Sequence, residues 1–306
     1  MTDLGTYVLV TDLALLLAGF AYAAWSDFRD REVPDGLWQV LGVVGFLIGF
    51  VVVAPGGTVP SLLWTVVGLL VIQHLFAWDV RLGAWGDRYA DIVELVAYVA
   101  VVALVAVAVA RVGVGPNDVP VAVVAVLVTV LFARGLFEAG ILFGGADAKA
   151  LMIVGLLVPM LATPLVPPPA AIAPVTGILP FAVTVLMNTA LFSVVVPLLI
   201  AVRNVRAKEF HGLSGFVGYT IPVDDLPRKY VWVRDPMFGE AREEEKSIET
   251  SEDDRRRRSE VAQDLRARGV RRVWVTPQIP FIVVMAVGVI AGLVAGNVLF
   301  DLIFRL

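Results

Sequence analysis

Apolar stretches long enough to cross a lipid bilayer recur along most of this chain, and they restrict its fold more than any other feature. Hydrophobic residues make up 58% of the sequence and charged residues 17%, whereas about a quarter of a soluble domain is charged. Only helices and closed barrels span a bilayer, and stretches of this length indicate helices. We predict about eight spans, at residues 6–25, 37–54, 60–77, 90–110, 119–141, 148–165, 177–202 and 279–300.

The positions of the basic residues predict the orientation of these spans, because cytosolic loops carry an excess of Lys and Arg. With the N-terminus outside, all of the 24 Lys and Arg residues except Arg111 and Arg305 lie on or close to the cytosolic side. The first span lacks the basic start and the small-residue cleavage site of a secretory signal, so we expect it to be retained. The predicted location is the cell membrane, with both termini outside and with cytosolic loops at 26–36, 78–89, 142–147 and 203–278.

The segment 203–278 is more polar than the rest of the chain. Its first half alternates apolar and polar residues between Pro and Gly breaks, which favours short strands. Its second half, from GEAREEEK to DLRARG, has almost no apolar face, which is typical of a solvated helix or a mobile charged arm. We therefore predict an all-α polytopic membrane protein of about eight helices with a small cytosolic α+β insertion before the last helix. The predicted domains are a membrane core at 1–202, a cytosolic domain at 203–278 and a C-terminal transmembrane helix at 279–306.

The composition also limits the chemistry of any site. The sequence contains no cysteine, which excludes disulfides and thiolate metal sites, and its two histidines are too few for a histidine-based metal centre. We predict no metal and no cofactor. The net charge of −4 gives no reason to expect a nucleic-acid partner, and the oligomeric state is left open.

Two aspartates are the candidate catalytic residues. In the predicted topology Asp27 ends the first span and Asp147 lies between the fifth and sixth spans, so both lie at the cytosolic membrane boundary. Two carboxylates that meet there would share one proton, because repulsion between like charges raises one of the two pKa values. The result is a base that takes a proton from water and an acid that donates to a carbonyl oxygen, as aspartyl hydrolysis of a peptide bond requires.

The residues around these acids fit the same purpose. Gly144 and Gly145 would permit unusual backbone angles and the close approach of an extended peptide. Pro34 is expected to end the loop after Asp27 and to start the next helix. Lys149 could reach the headgroup level or lower the pKa of a nearby carboxylate.

These residues resemble the type IV prepilin peptidase class of membrane aspartyl proteases. DFRDREVP, residues 27–34, fits the pattern D-x5-[IV]-P, and GGADAK, residues 144–149, is similar to G-x-G-D-x-K with Ala146 in place of the second glycine. The chain most resembles the archaeal preflagellin and prepilin peptidases, and VWVTPQIPFIVV at 273–284 is similar to their C-terminal region. The stretch 78–118 carries a span and loops beyond the six helices expected of that family.

The resemblance implies an aspartic-type endopeptidase that cleaves class III signal peptides at the cytosolic face of the membrane. It assigns Asp27 and Asp147 as the catalytic pair and makes Gly144, Gly145 and Lys149 motif residues. The implied partners are archaellin or pilin precursors, each with a short basic leader and a hydrophobic helix, together with the lipid bilayer. N-methyltransferase activity is not implied, because the chain lacks the cysteine pairs of many bacterial prepilin peptidases.

Other interpretations stay open at this level. Asp87, in AWGD, is an alternative catalytic acid on the same predicted face, and Asp35 is a weaker one. Asp147 alone could also be an ordinary helix-capping residue. Acids among eight helices are compatible with a proton- or cation-coupled transporter, although none lies securely at the bilayer midplane. A non-catalytic membrane scaffold would tolerate replacement of both Asp27 and Asp147.

Overall fold

The computed structural model describes residues 2–77, 92, 96, 98–108, 110, 119–142, 144–161, 164–165, 179–233 and 251–305. The chain divides into two compact units. The helical unit comprises Met1–Ala24, Val33–Thr189 and Ile282–Leu306, and the sheet unit comprises Trp25–Glu32 and Ala190–Phe281.

Helices account for most of the described residues. Numbered in chain order, they are α1 Thr2–Asp30, α2 Asp35–Val53, α3 Thr58–Ala77, α4 Tyr98–Ala108, α5 Val119–Glu138, α6 Gly145–Leu157, α7 Phe181–Ser193, α8 Val195–Ala207, α9 Ser251–Ala267, α10 Phe281–Ala295 and α11 Val298–Arg305.

The short helix α6 lies at the centre of the helical unit. Every residue from Ala148 to Leu157 is buried, and the helix packs against α2, α3 and α5. Two glycines allow this close packing. A Cβ on Gly45 of α2 would come within 2.6 Å of a methyl carbon of Leu157, and a Cβ on Gly155 within 2.7 Å of the Thr129 methyl on α5. The N-terminus of α6 is therefore held by helices on several sides.

Four helical segments of the described chain are long and apolar enough to cross a membrane: Asp35–Gly56, Thr58–Phe76, Val119–Glu138 and Phe181–Ala207. They correspond to the spans predicted at 37–54, 60–77, 119–141 and 177–202. The bent pair α10 and α11 gives a fifth candidate if it forms one span. The predicted count of eight is not confirmed. Helix α1 covers the predicted span 6–25 but is not among these candidates, and part of the predicted span 90–110 lies outside the described residues.

The predictions for the sixth and last spans are wrong in length and in continuity. Helix α6 ends at Leu157 instead of near 165, because Pro159 disfavours helical angles at Val158, which has φ −134° and ψ 78°. The predicted span 279–300 is broken at Gly296, which has φ +75°, and the helices on its two sides are bent by 60°. Glycine is the residue that most readily ends a helix in this left-handed conformation.

The sheet unit contains a three-stranded antiparallel sheet in the order β1-β3-β2, built from β1 Tyr219–Pro222, β2 Val231–Val233 and β3 Arg272–Pro277. Ile221 pairs with Val273, and Val233 pairs with Val275. The prediction of short strands is confirmed for β1 and β2. The third strand comes from beyond the charged segment and lies between the other two.

Helix α9 covers the buried side of the sheet. Its Ala262 and Leu265 are fully buried with Val223 and Leu226, which follow β1, and with apolar side chains of the sheet. Of the two predicted alternatives, the helix is found at 251–267, but one side of it is buried because its few apolar residues pack on this cluster. Its arginines do pair with neighbouring acids, as Arg256 does with Asp253 at 2.9 Å. The preceding part of the predicted arm, at 234–250, lies outside the described residues.

Candidate active site

Asp27 lies in the last turn of α1 and is 9% exposed. The helix ends three residues later, where the Arg31 amide donates a hydrogen bond to the Asp27 carbonyl at 3.1 Å. Arg31 has φ +60°, a left-handed conformation that costs a non-glycine residue about 1–2 kcal/mol. The Ser26 hydroxyl closes the same turn by donating to the Glu32 carbonyl at 2.6 Å. The backbone around Asp27 is thus held in one specific, strained turn.

Arg31 is a cation that interacts electrostatically with Asp27. Burial lowers the pKa of the Arg31 guanidinium, and the charges of Asp27 and Tyr230 oppose that shift. Among the described residues, no hydrogen-bond partner is found for the buried Nε and Nη1 atoms of Arg31. Burying these two N–H groups without acceptors costs free energy, because the hydrogen bonds that they lose to water are not replaced by hydrogen bonds to the protein. Its attraction to Asp27 offsets part of that cost.

Asp147 lies in the first turn of α6 and is half-buried. Gly144 is the N-cap residue, and the Asp147 amide donates to the Gly144 carbonyl at 3.1 Å. The interpretation of Asp147 as the capping residue is therefore wrong, since the helix begins at Gly145. An acid in the first turn faces the positive end of the helix dipole, which stabilises its negative charge.

Gly144 provides space beside the acid. Its φ of −106° and ψ of 133° are accessible to any residue, so the expected unusual backbone angle is not present there. A Cβ at this position would instead come within 3.1 Å of Asp147 Oδ2. Gly145 and Ala146 follow as the first two residues of α6, where a small alanine is compatible with helical geometry.

Lys149 is buried and paired with Asp35. Its side chain is 3% exposed, and its Nζ atom donates to Asp35 Oδ1 at 2.8 Å. Asp35 is the first residue of α2 and its side chain is half-exposed. The reach of Lys149 to the headgroup level stays a prediction, and in the structure its ammonium group pairs with a half-exposed acid at the start of α2. This bond joins the start of α2 to the first turns of α6.

Pro34 is the N-cap residue of α2, and its carbonyl accepts a hydrogen bond from the Leu37 amide at 3.0 Å. Its predicted place at the start of the second helix is confirmed. The structure brings Pro34, Asp35, Gly144, Asp147 and Lys149 into the helical unit, while Asp27 belongs to the sheet unit. Asp87 lies outside the described residues.

Among the described residues, no cluster of three or more His, Cys, Asp or Glu side chains has the geometry to hold a metal ion. The ionisable side chains described around the candidate residues are carboxylates, the buried Lys149 and the half-buried Arg31.

Tyr230 was missed by the sequence reasoning. It precedes β2, and its hydroxyl donates to the Arg29 carbonyl of α1 at 3.3 Å. The guanidinium carbons of Arg31 and Arg258 lie 5.4 Å and 5.2 Å from the centre of its ring. A Tyr before a short strand carries no signal of such a role. By contrast, Gln278 lies within VWVTPQIPFIVV, the stretch that is similar to the C-terminal region of the archaeal peptidases.

Comparison with known families identifies the C-terminal part of the chain. Residues 213–298 match the family model described as Archaeal Peptidase A24 C-terminus Type II. This segment is similar to the C-terminal region of archaeal A24 peptidases. The resemblance to the archaeal preflagellin and prepilin peptidases is confirmed by this match.

The family indicates a protease with a prepilin-type peptidase role, and the apolar helices indicate a membrane protein. The matched residues include β1, β3, α9 and α10 but neither Asp27 nor Asp147. No significant match was found among the curated proteins or among the solved structures.

Proposed function

We propose that this A24 peptidase is an integral membrane aspartyl endopeptidase that removes class III signal peptides from archaellin-like or type IV pilin-like precursors. Asp27 and Asp147 are its catalytic pair. The observation that carries the proposal is the family match at 213–298, in a chain whose preceding residues include both motif acids.

The environment of each acid supports its assignment. Asp27 is largely buried in a strained turn, which is uncommon for a surface aspartate without a role. Asp147 lies at a helix N-terminus beside a glycine whose side chain would crowd the carboxylate. The turn fixes the orientation of one carboxylate and the glycine leaves space beside the other, as contact with water and a peptide requires.

The chemistry needs one ionised and one protonated carboxylate. The ionised group accepts a proton from water while the water oxygen bonds to the scissile carbonyl carbon. The neutral group donates its proton to the carbonyl oxygen, and the tetrahedral species then collapses with proton transfer to the leaving amine. The pair titrates jointly, so neither acid is assigned the shared proton.

The substrate enters from the bilayer in this proposal. The apolar helix of the precursor lies beside the spans, and its basic leader reaches the cytosolic face where the acids are placed by the Lys and Arg distribution. Gly144 and Ala146 leave room for an extended chain, because neither carries a side chain beyond Cβ.

The test is cleavage of a co-expressed archaellin or pilin precursor, followed as a gel shift. The variants are Asp27→Asn, Asp147→Asn and Asp87→Asn, each of which keeps side-chain volume and removes the charge. Asp30→Asn is the matched control, since Asp30 lies three residues after Asp27 at the end of the same helix and is exposed. We expect loss of cleavage of about a thousandfold or more for the first two variants and little change for the other two.

If Asp147→Asn cleaves the precursor and Asp87→Asn does not, the second catalytic acid is Asp87 and not Asp147. The proposed enzyme class would still hold. A wild-type protein that is folded in the membrane and leaves every precursor intact would overturn the peptidase proposal. Proton or cation flux through reconstituted vesicles would then be the next measurement.

A further inference from the structure

Tyr230 contacts the residues that follow Asp27 at the end of α1. The Tyr230 hydroxyl donates to the Arg29 carbonyl, and the Arg31 guanidinium lies over the Tyr230 ring. Arg29 and Arg31 are the residues two and four positions after Asp27. Tyr230 therefore contacts α1 at its C-terminal end, and does so through both its ring and its hydroxyl.

Tyr230 is itself held by β3 and α9. Its carbonyl accepts a hydrogen bond from the Gln278 amide at 3.0 Å, and the Gln278 side chain donates to Asp254 Oδ2 at 3.1 Å. Asp254 pairs with Arg258, whose guanidinium lies over the Tyr230 ring. Arg258 is 5% exposed, so this arrangement is part of the packed unit and not a surface contact.

The end of α1 needs such support. Helix termini fray most readily, because their last carbonyls lack partners within the helix. Here the terminus also contains a left-handed arginine with two buried N–H groups that have no hydrogen-bond partner among the described residues. The ring of Tyr230 supplies a favourable surface for that cation, which makes the strained turn the stable one.

We propose that the sheet unit positions Asp27 through Tyr230, with Arg31 as the link between the tyrosine ring and the turn of the acid. Tyr230 is thus a positioning residue for the proposed hydrolysis, and the inference rests on the function proposed above. It gives the C-terminal region matched by the family model a task in catalysis: fixing the orientation of an acid encoded about two hundred residues earlier.

The activity test compares Tyr230→Ala, Tyr230→Phe and Tyr219→Ala in purified, reconstituted protein with a precursor substrate. Tyr219 is the matched control, because it lies in the same compact unit, is also half-buried and also stacks on an arginine, Arg203 at 3.8 Å, but has no described hydrogen bond or ring contact with α1. Tyr230→Ala is expected to lower kcat about ten- to hundredfold with little change in KM, as misplacement of a reacting group does. Tyr230→Phe keeps the ring and should stay within about threefold of wild type, because only the long bond to Arg29 is lost.

A second readout measures position without activity. The chain has no cysteine, so spin labels at Asp30→Cys and Arg228→Cys, both exposed, report one distance between the end of α1 and the turn before Tyr230. We expect one narrow distance distribution in the labelled protein and in its Tyr219→Ala form, and a broad one with Tyr230→Ala.

The outcomes separate the two proposals. If wild type cleaves and Tyr230→Ala has the wild-type kcat, or if Tyr219→Ala loses kcat equally, the positioning role is overturned and the peptidase stands. If wild type does not cleave, the peptidase proposal fails. A narrow distance distribution in Tyr230→Ala would also overturn the positioning role, independently of any activity.

Discussion

The ion pair between Lys149 and Asp35 joins a buried cation to a half-exposed acid, and this asymmetry has a measurable consequence. Asp35→Ala removes the acid that pairs with the buried Lys149 charge, which we expect to cost about 2–3 kcal/mol of unfolding free energy. Lys149→Met leaves an acid that water can reach and should cost less than about 1 kcal/mol. Titration with SDS in mixed micelles measures both.

The double variant Asp35→Ala/Lys149→Met should recover most of the loss seen in Asp35→Ala, because the buried charge is then removed together with Asp35. The control is Glu138→Ala, which breaks an exposed pair with Arg134 at 2.9 Å on α5 and should change stability by less than about 0.5 kcal/mol. Equal losses in the two single variants at positions 35 and 149 would contradict the asymmetry.

Single residues were predictable where burial alone marks them. Asp147 and Lys149 stand out because charges between apolar runs are costly, and both lie on or beside the buried helix α6. The partner of Lys149 was not predictable, since Asp35 lies 114 positions away and its neighbours give no sign of the pairing. Tyr230 was missed for the same reason: its contacts with Arg29 and Arg31 exist only after the chain has folded.

At the scale of elements, Asn188 of α7 completes the break between α10 and α11. Its Nδ2 donates to the Gly296 carbonyl and its Oδ1 accepts from the Val298 amide, both at 2.9 Å. Asn188 is fully buried, so Asn188→Leu would leave the buried Gly296 carbonyl and the half-buried Val298 amide without this partner. We expect a loss of about 2–4 kcal/mol of unfolding free energy in the SDS titration.

Thr129→Val is the matched control for this variant. Thr129 is also buried within the helical unit, and its hydroxyl donates to the Ala125 carbonyl of its own helix at 2.8 Å. The Ala125 carbonyl belongs to an α-helical ladder, so its loss of one donor should cost less than about 1.5 kcal/mol. A loss in Asn188→Leu no larger than that of Thr129→Val would argue against the bridging role.

Hydropathy predicted the long apolar helical segments, but it failed where a proline or a glycine interrupts an apolar stretch. The spans at 37–54, 60–77, 119–141 and 177–202 contain enough apolar residues to be recognised and correspond to helices of the structure. In the sixth span Pro159 ends the helix although the apolar run continues. In the last span Gly296 and a distant asparagine stabilise a bend, and a window of mean hydropathy is insensitive to both.

At the scale of the whole molecule, dividing the chain into consecutive domains matches the two compact units only in part. The predicted cytosolic domain at 203–278 contains the sheet, but the compact unit also includes Trp25–Glu32 from the end of α1. Those eight residues join the unit through contacts such as that of Arg31 with Tyr230, and not through sequence proximity. Segmentation by polarity is insensitive to an attachment of this kind.

The distribution of basic residues predicts the orientation of the chain in the membrane. If the sheet unit and the turn of Asp27 face the cytosol, the loop between α2 and α3 faces outward. Because the chain contains no cysteine, Thr58→Cys and Arg271→Cys each place one exposed thiol, at the first residue of α3 directly after that loop and next to β3. A membrane-impermeant maleimide should label position 58 in intact cells and position 271 only after permeabilisation, and detergent should make both reactive. The reverse pattern would put the basic face outside, where a leader peptide awaiting export cannot be cut. It would therefore contradict the cytosolic site even if the protein proved to be an active protease.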